Sequence, residues 1–301
     1  WIEAETMPAK AVLAWQHLTG ALNVMRYLAA AEGAVVVVIP TGRATTAEDV
    51  HVLQATLHGA TGALLDYMAG HKGGVPALVG TERERIIQRR SGIADPYESL
   101  KAESNRVAAG LLDLAREFYD GEEDKIEALV RIAAAANSME FGVKGHYFDN
   151  SSFAGLFSQT LRESLHGDLE EVKRRLREFS NIFYLTDNCG EAVFDIFVIK
   201  RLVEMGKRVV VGSKSAPILN DVTAREMSLL CDSLGQFNEA AVEVTPTGDV
   251  VGTALEHLHG RARSILSDPG WMILAKGMGN YETISEYEER LKGRLVYILR
   301  A

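Results

Sequence analysis

Two cysteines in 301 residues leave little from which to build a disulfide framework. Cys189 and Cys231 have no Cys-x-x-Cys spacing and no histidines at zinc-ligand spacing, so a structural zinc site is excluded and a reducing compartment is expected. Long apolar runs are lacking too. The longest covers residues 34–39, far short of the roughly 20 residues that span a bilayer, so no membrane partner is expected. The opening "WIEAETMPAK" carries two acids and no basic stretch ahead of an apolar one, which reads as no secretory leader and a cytoplasmic protein. A surplus of positive charge is missing: 32 Lys and Arg stand against 41 Asp and Glu, a net charge of −9. A generic nucleic-acid binder would be basic, so that class is set aside. No internal repeat and no low-complexity tract interrupts the chain.

What is present is an ordinary globular composition, 47% hydrophobic and 24% charged, long enough for a sizeable core. The first part reads as helices at residues 9–32, about 46–70, 80–90, 96–119, 123–137 and 151–178, from apolar residues at three- and four-residue spacing. Asp95-Pro96 reads as the start of one of them, with Leu100, Val107, Leu111, Leu114 and Phe118 as its stripe and Gly121 as its end. Residues 34–42 look instead like a strand. From about residue 181 the rhythm changes. Apolar runs at 181–185, 208–212, 240–244, 271–276 and 294–300 alternate with helical stretches at 190–205, 222–234, 251–266 and after 276. That alternation predicts a parallel sheet with right-handed crossovers: an α/β, three-layer, Rossmann-like domain at 181–301 preceded by a helical bundle at 1–180.

Ligands of such sheets sit at the carboxyl ends of the strands. The first strand delivers Asp187 and Asn188. The second delivers Lys214 and then "PILND", with Asn220 and Asp221. The fourth delivers Lys276 and then "GMGNYE", with Asn280 and Glu282. Carboxylate and amide oxygens suit a hard divalent ion, and lysines beside them suit a phosphate. Each residue also has a plain reading. Asp187 or Asn188 could cap the helix that follows, and Asn220 or Asp221 the next one. Glu191 could be a first-turn carboxylate. On that helix Lys200, Arg201 and Glu204 share the solvated face. Asp195 points the other way with Val198, Ile199 and Leu202, and Glu191 lies one turn earlier on the same side. A buried carboxylate needs a partner, for Asp195 a metal or hydrogen bonds from a neighbouring loop. Lys276-Gly277 could be a plain loop. Cys189 has no histidine placed to activate it and reads as a buried thiol, and His257-x-His259 falls in a helical stretch and reads as a surface feature.

"TDNCGEAVFD", "APILNDVT" and "AKGMGNYET", in that order, resemble the DUF89 family of metal-dependent damage-control phosphatases, in particular its archaeal-type branch. "PALVGTERERIIQRRSGIADPYESLKAESNRVA" and "AAANSMEFGV" resemble the family's stretches ahead of the sheet, so the likeness covers roughly residues 76–301. Two features depart from it: there is no opening Cys-x-x-Cys pair, and Glu140 stands where the family has Asp. The resemblance implies a divalent metal (magnesium, manganese, nickel or cobalt) held by Asp187, Asn188 and Asp221. It implies hydrolysis of phosphomonoesters of small metabolites, sugar phosphates or damaged phosphometabolites. Lys276 and Lys214 would stabilise the phosphoryl oxygens, and Glu191 would orient or deprotonate the attacking water. Asp187 as a covalent nucleophile is a variant. Asn105, Asn137 and Asn280 are candidate substrate contacts, with core hydrogen bonding the plain alternative for the first two. The expected partner is a small phosphorylated metabolite, with homo-oligomerisation left open. Two rivals stand beside this reading. A methyltransferase on the same sheet would need a Gly-rich first turn and an acid ending the second strand, and neither is here. A non-catalytic phosphometabolite-binding protein would keep the lysines but not need three oxygen ligands.

Overall fold

A computed structural model describes residues 47–71, 75–137, 150–235, 237 and 241–299. The helix expected at 9–32 and the strand expected at 34–42 lie outside them. By its internal contacts the chain forms two compact units. Of the described residues, the first holds 47–71 and 82–96. The second holds 75–81, 97–137 and those from 150 on.

Seven helices precede the sheet among the described residues: α1 (Ala47–Gly70), α2 (Pro76–Ser91), α3 (Glu98–Ala109), α4 (Leu112–Gly121), α5 (Lys125–Asn137), α6 (Asn150–Thr160) and α7 (Leu169–Glu178). The helix expected at 96–119 is two helices. It starts at Glu98 after Tyr97 rather than at Pro96, and it breaks where Gly110 shares its N–H between the Arg106 and Val107 carbonyls and Leu111 donates only three residues back, to Ala108. The helix expected at 151–178 also divides. Arg162 and Glu163 tighten into three-residue turns, and Asp168 opens α7 by accepting from Glu171 N at 2.9 Å.

The second half is β1 (Asn181–Leu185), α8 (Glu191–Glu204), β2 (Arg208–Ser213), α9 (Ala224–Leu230) with a π-turn at Cys231–Gly235, β3 (Val242–Pro246), α10 (Gly260–Ser267), β4 (Trp271–Lys276), α11 (Gly277–Ile284), a 3₁₀ stretch at Ser285–Leu291 and β5 (Leu295–Ile298). All pairings are parallel, in the order β3-β2-β1-β4-β5. The architecture is α/β with a five-stranded parallel sheet, as the alternation predicts. The helix expected at 251–266 is misplaced. A loop runs to Ala254, a 3₁₀ turn covers Leu255–His257, and α10 begins at Gly260.

Side chains alternate along each strand between two cores. Ile182, Tyr184, Val209, Val211, Met272, Leu274 and Ile298 pack with α3 to α9. Phe183, Leu185, Val210, Ile273 and Ala275 pack with α10, α11 and the 3₁₀ stretch. The first strand in sequence therefore lies in the middle of the sheet, buried on both faces. Asn181 pairs with Arg208 on one side and Trp271 on the other, so the carboxyl ends of β1, β2 and β4 finish level. The strand order reverses between β1 and β4, which is where such sheets open a crevice for ligands. Both cysteines are buried and neither forms a disulfide. No described helix is long and apolar enough to cross a membrane.

Candidate active site

Backbone hydrogen bonds knit the end of β1 to the turn after β2. Val222 N donates to Asp187 O (3.0 Å), Cys189 N donates to Asn220 O (2.8 Å), and Asn188 and Asp221 form an isolated antiparallel bridge. This ladder sets Asp187, Asn188 and Asp221 side by side. None of the three caps a helix. Gly190 occupies the N-cap of α8 without a side-chain bond, and α9 is capped by Thr223, whose hydroxyl accepts from Glu226 N while Glu226 accepts from Thr223 N. The capping alternative for these residues is thereby removed.

Lys214 follows β2 and is buried. Its Nζ lies 3.6 Å from Asp221 Oδ2 and donates to Gly252 O. Lys276 ends β4 with no exposed surface. Its Nζ is paired with Glu191 Oε1 and, at 3.0 Å, with Asp195 Oδ1. Burial opposes the charge on Lys276, but Asp195 and Glu191 outweigh it and raise the lysine above its ordinary range, so it stays protonated. Tyr184 Oη donates to Asp195 Oδ1 at 2.5 Å. Asp195 is thus held by a strand residue and Lys276, where the sequence left a metal or a neighbouring loop as the alternatives. Glu191 Oε2 accepts from Asn137 Nδ2 at 3.0 Å, and the same amide reaches Asp187 Oδ2 at 3.3 Å.

The other two asparagines differ from the substrate-contact reading. Asn105 Oδ1 accepts from Gly190 N at 2.6 Å, so its carbonyl holds the start of α8. Asn280 is buried with all its groups engaged. Nδ2 donates to Thr186 O (3.0 Å) and Lys276 O (2.7 Å), and Oδ1 accepts from Thr253 Oγ1 (2.7 Å). It clamps the ends of β1 and β4 to the loop after β3. The sequence pattern predicts a helix from residue 251, across the end of that loop. Val251 N bonds Thr81 Oγ1, Thr253 N bonds Thr283 Oγ1, and Tyr287 Oη bonds Thr253 O. Its signal was the Gly-rich, threonine-rich "TGDVVGT" itself, which a helix would not favour. Lys101 was also missed: it lies about 100° round the helix from the Leu100, Val107 and Leu111 stripe, so the spacing gives no sign that it is buried.

Does the donor set suit a divalent cation? Burial first, then the neighbouring Asp221 and Glu191, push Asp187 well above the carboxylate range, and Lys214 and Lys276 offset this only in part. Crowded carboxylates of this kind are relieved by a cation. Asn188 Nδ2 donates to Asp187 Oδ2 at 3.2 Å, which leaves the amide oxygen as the atom an ion would take. Gly277 keeps the space open: its φ is +78°, and a Cβ there would lie 1.7 Å from Asp187 Oδ2. Among the described residues no three His, Cys, Asp or Glu side chains converge closely enough to hold an ion by themselves. Two carboxylates and one amide are therefore the set on offer, and oxygen ligands of that kind fit a hard ion.

Residues 39–301 match the damage-control phosphatase ARMT1-like domain. An uncharacterized protein of Methanocaldococcus jannaschii, MJ0202, is 31% identical over 234 residues, 75% of this chain and 73% of that one. A damage-control phosphatase of Archaeoglobus fulgidus is 29% identical, covering 70% of this chain and 72% of its own. Damage-control phosphatase PH1575 of Pyrococcus horikoshii is 27% identical, covering 75% of each. The crystal structure of PH1575, a DUF89 family protein, superposes with a TM-score of 0.70 at 24% identity over 82% of this chain and 83% of that one, which establishes the common fold. With the ends of β1, β2 and β4 carrying the three motifs, and a family model spanning nearly the whole described chain, this protein belongs to the damage-control phosphatase ARMT1-like family.

Proposed function

We propose that the chain is a metal-dependent phosphatase acting on phosphomonoesters of small metabolites, sugar phosphates or damaged phosphometabolites. One observation carries the reading: three oxygen-bearing side chains on two strand ends, none used as a helix cap, are fixed side by side at the sheet's switch point next to two buried lysines. Names of relatives supply the substrate class, since two of them are called damage-control phosphatases.

Asp187, Asn188 and Asp221 would hold the ion. When bound, a divalent ion supplies Lewis-acid polarisation of a phosphoryl oxygen and a water of lowered pKa. Glu191 has one oxygen on Lys276 and the other on Asn137, so its carboxylate is fixed in rotation and is the group suited to orienting the attacking water. Lys276 acts chiefly by fixing Glu191 and Asp195, because both carboxylates already occupy it. Lys214 supplies positive charge beside Asp221. A non-catalytic binder would need the lysines without the buried oxygen set.

The test is hydrolysis of para-nitrophenyl phosphate by metal-stripped protein, with EDTA and then with magnesium, manganese, nickel or cobalt. Activity is expected only with added metal, and Asp187→Ala is expected to lose at least a hundredfold. Hydrolysis indifferent to EDTA, no hydrolysis with any metal, or a fully active Asp187→Ala protein would each defeat the proposal.

A further inference from the structure

The two loops that carry Asp187, Asn188 and Asp221 are braced from outside by one helix. Lys101 and Asn105 lie four residues apart on α3, so they share one edge and stand about 6 Å apart along its axis. Asn105 Oδ1 takes Gly190 N (2.6 Å), two residues after Asn188. Lys101 Nζ lies 2.9 Å from Glu226 Oε1. Glu226 Oε2 in turn accepts from Thr223 N (2.8 Å) and Thr223 Oγ1 (2.7 Å), two residues after Asp221. Thr223 also bridges to Lys214, with Lys214 N on Val222 O and Ala224 N on Lys214 O. Lys101 is 1% exposed, and a lysine so buried is costly unless its partner repays it. One partner is the capping-box glutamate of the ligand-bearing turn, so the charge sits where it can govern that turn.

We propose that α3 is a splint that sets the spacing between the two ligand loops, with Lys101 and Asn105 as positioning residues that tune metal affinity. This rests on the metal reading above. Backbone bonds between Asp187–Cys189 and Asn220–Val222 fix the loops where they touch. α3 fixes their far ends, Gly190 and Glu226, to a rigid helix. Partners outside the ligands themselves typically change metal affinity ten- to a hundredfold.

The experiment is calorimetric titration of metal-stripped protein with Mn²⁺. Lys101→Met and Asn105→Leu are each expected to raise the Mn²⁺ Kd at least tenfold, while kcat at saturating Mn²⁺ stays within threefold of the parent. Asn105→Asp keeps the acceptor and is expected to hold the Kd within threefold or tighten it. If both loss variants fold with a lowered Tm but an unchanged Mn²⁺ Kd, α3 is packing only and the splint is overturned. Should Lys101→Met fail to fold, the Asn105→Leu and Asn105→Asp pair decides on the same criterion. Asp221→Ala separates the two levels. If the parent binds no Mn²⁺, or Asp221→Ala binds it equally, the metal reading itself falls and the splint with it. If Asp221→Ala abolishes binding and the α3 variants leave it untouched, only the splint falls.

Discussion

Lys276 is enclosed by Glu191 and Asp195 with no water-accessible surface, and this sets what the lysine can do. A cation free to swing would meet the substrate directly, whereas one tied to two carboxylates sets their positions. Removing it leaves two buried charges uncompensated. Lys276→Met is therefore expected to lower unfolding stability by about 3–5 kcal/mol, read as a shift of the urea midpoint at unchanged m-value. A midpoint unchanged within about 0.5 kcal/mol would mean that water or another donor takes over the carboxylates. Much of this residue pattern was legible in sequence. The strand-end positions, the shared face of Glu191 and Asp195, and the need of Asp195 for a partner all followed from spacing. Its identity did not: Tyr184 reaches Asp195 from the adjoining strand, but Lys276 does so only through the pairing of β1 with β4, which no local pattern encodes.

At the scale of elements, the five strands were readable because parallel strands buried on both faces are continuous apolar runs. The helices were readable as existing but not as ending. The breaks at Gly110 and at 161–168 come from three-residue turns within sequence that still carries helical spacing. The loop at 247–254 failed for a different reason. Thr253 and Gly252 are held by α11 rather than by their neighbours, and a Cβ on Gly252 would lie 2.0 Å from Gly279 O. The junction of β4 and α11 shows how closely an element end can be matched to a side chain. Gly277→Ala would place a methyl on Asp187 Oδ2 at a left-handed φ. It is expected to cost about 1–2 kcal/mol of stability from the backbone, and more than tenfold in Mn²⁺ affinity from the displaced carboxylate. Thermal melts and the Mn²⁺ titration measure the two effects separately. Normal Mn²⁺ affinity in a folded Gly277→Ala protein would show that Asp187 does not bind where its carboxylate now lies.

For the molecule as a whole, charge sets an order of events. Four carboxylates (Asp187, Asp221, Glu191 and Asp195) share the site with two lysines, in a chain whose net charge is −9. A phosphate dianion entering the metal-free site meets net negative charge in a poorly solvated place, where repulsion is strong. Inorganic phosphate alone is expected to leave the Tm of stripped protein unchanged within about 1 °C, and to raise it by several degrees once Mn²⁺ is present, as binding to the folded state requires. An equal rise without metal would mean that the lysines alone hold the anion. The sheet order has a consequence for how the chain reaches this state. Glu191 lies on the helix that follows β1, yet its counter-charge Lys276 arrives 85 residues later, at the end of β4. An intermediate with α8 docked and β4 absent would hold two carboxylates in the core without a cation. Such a species is electrostatically penalised, which couples burial of the α8 carboxylates to the distant pairing of β1 with β4.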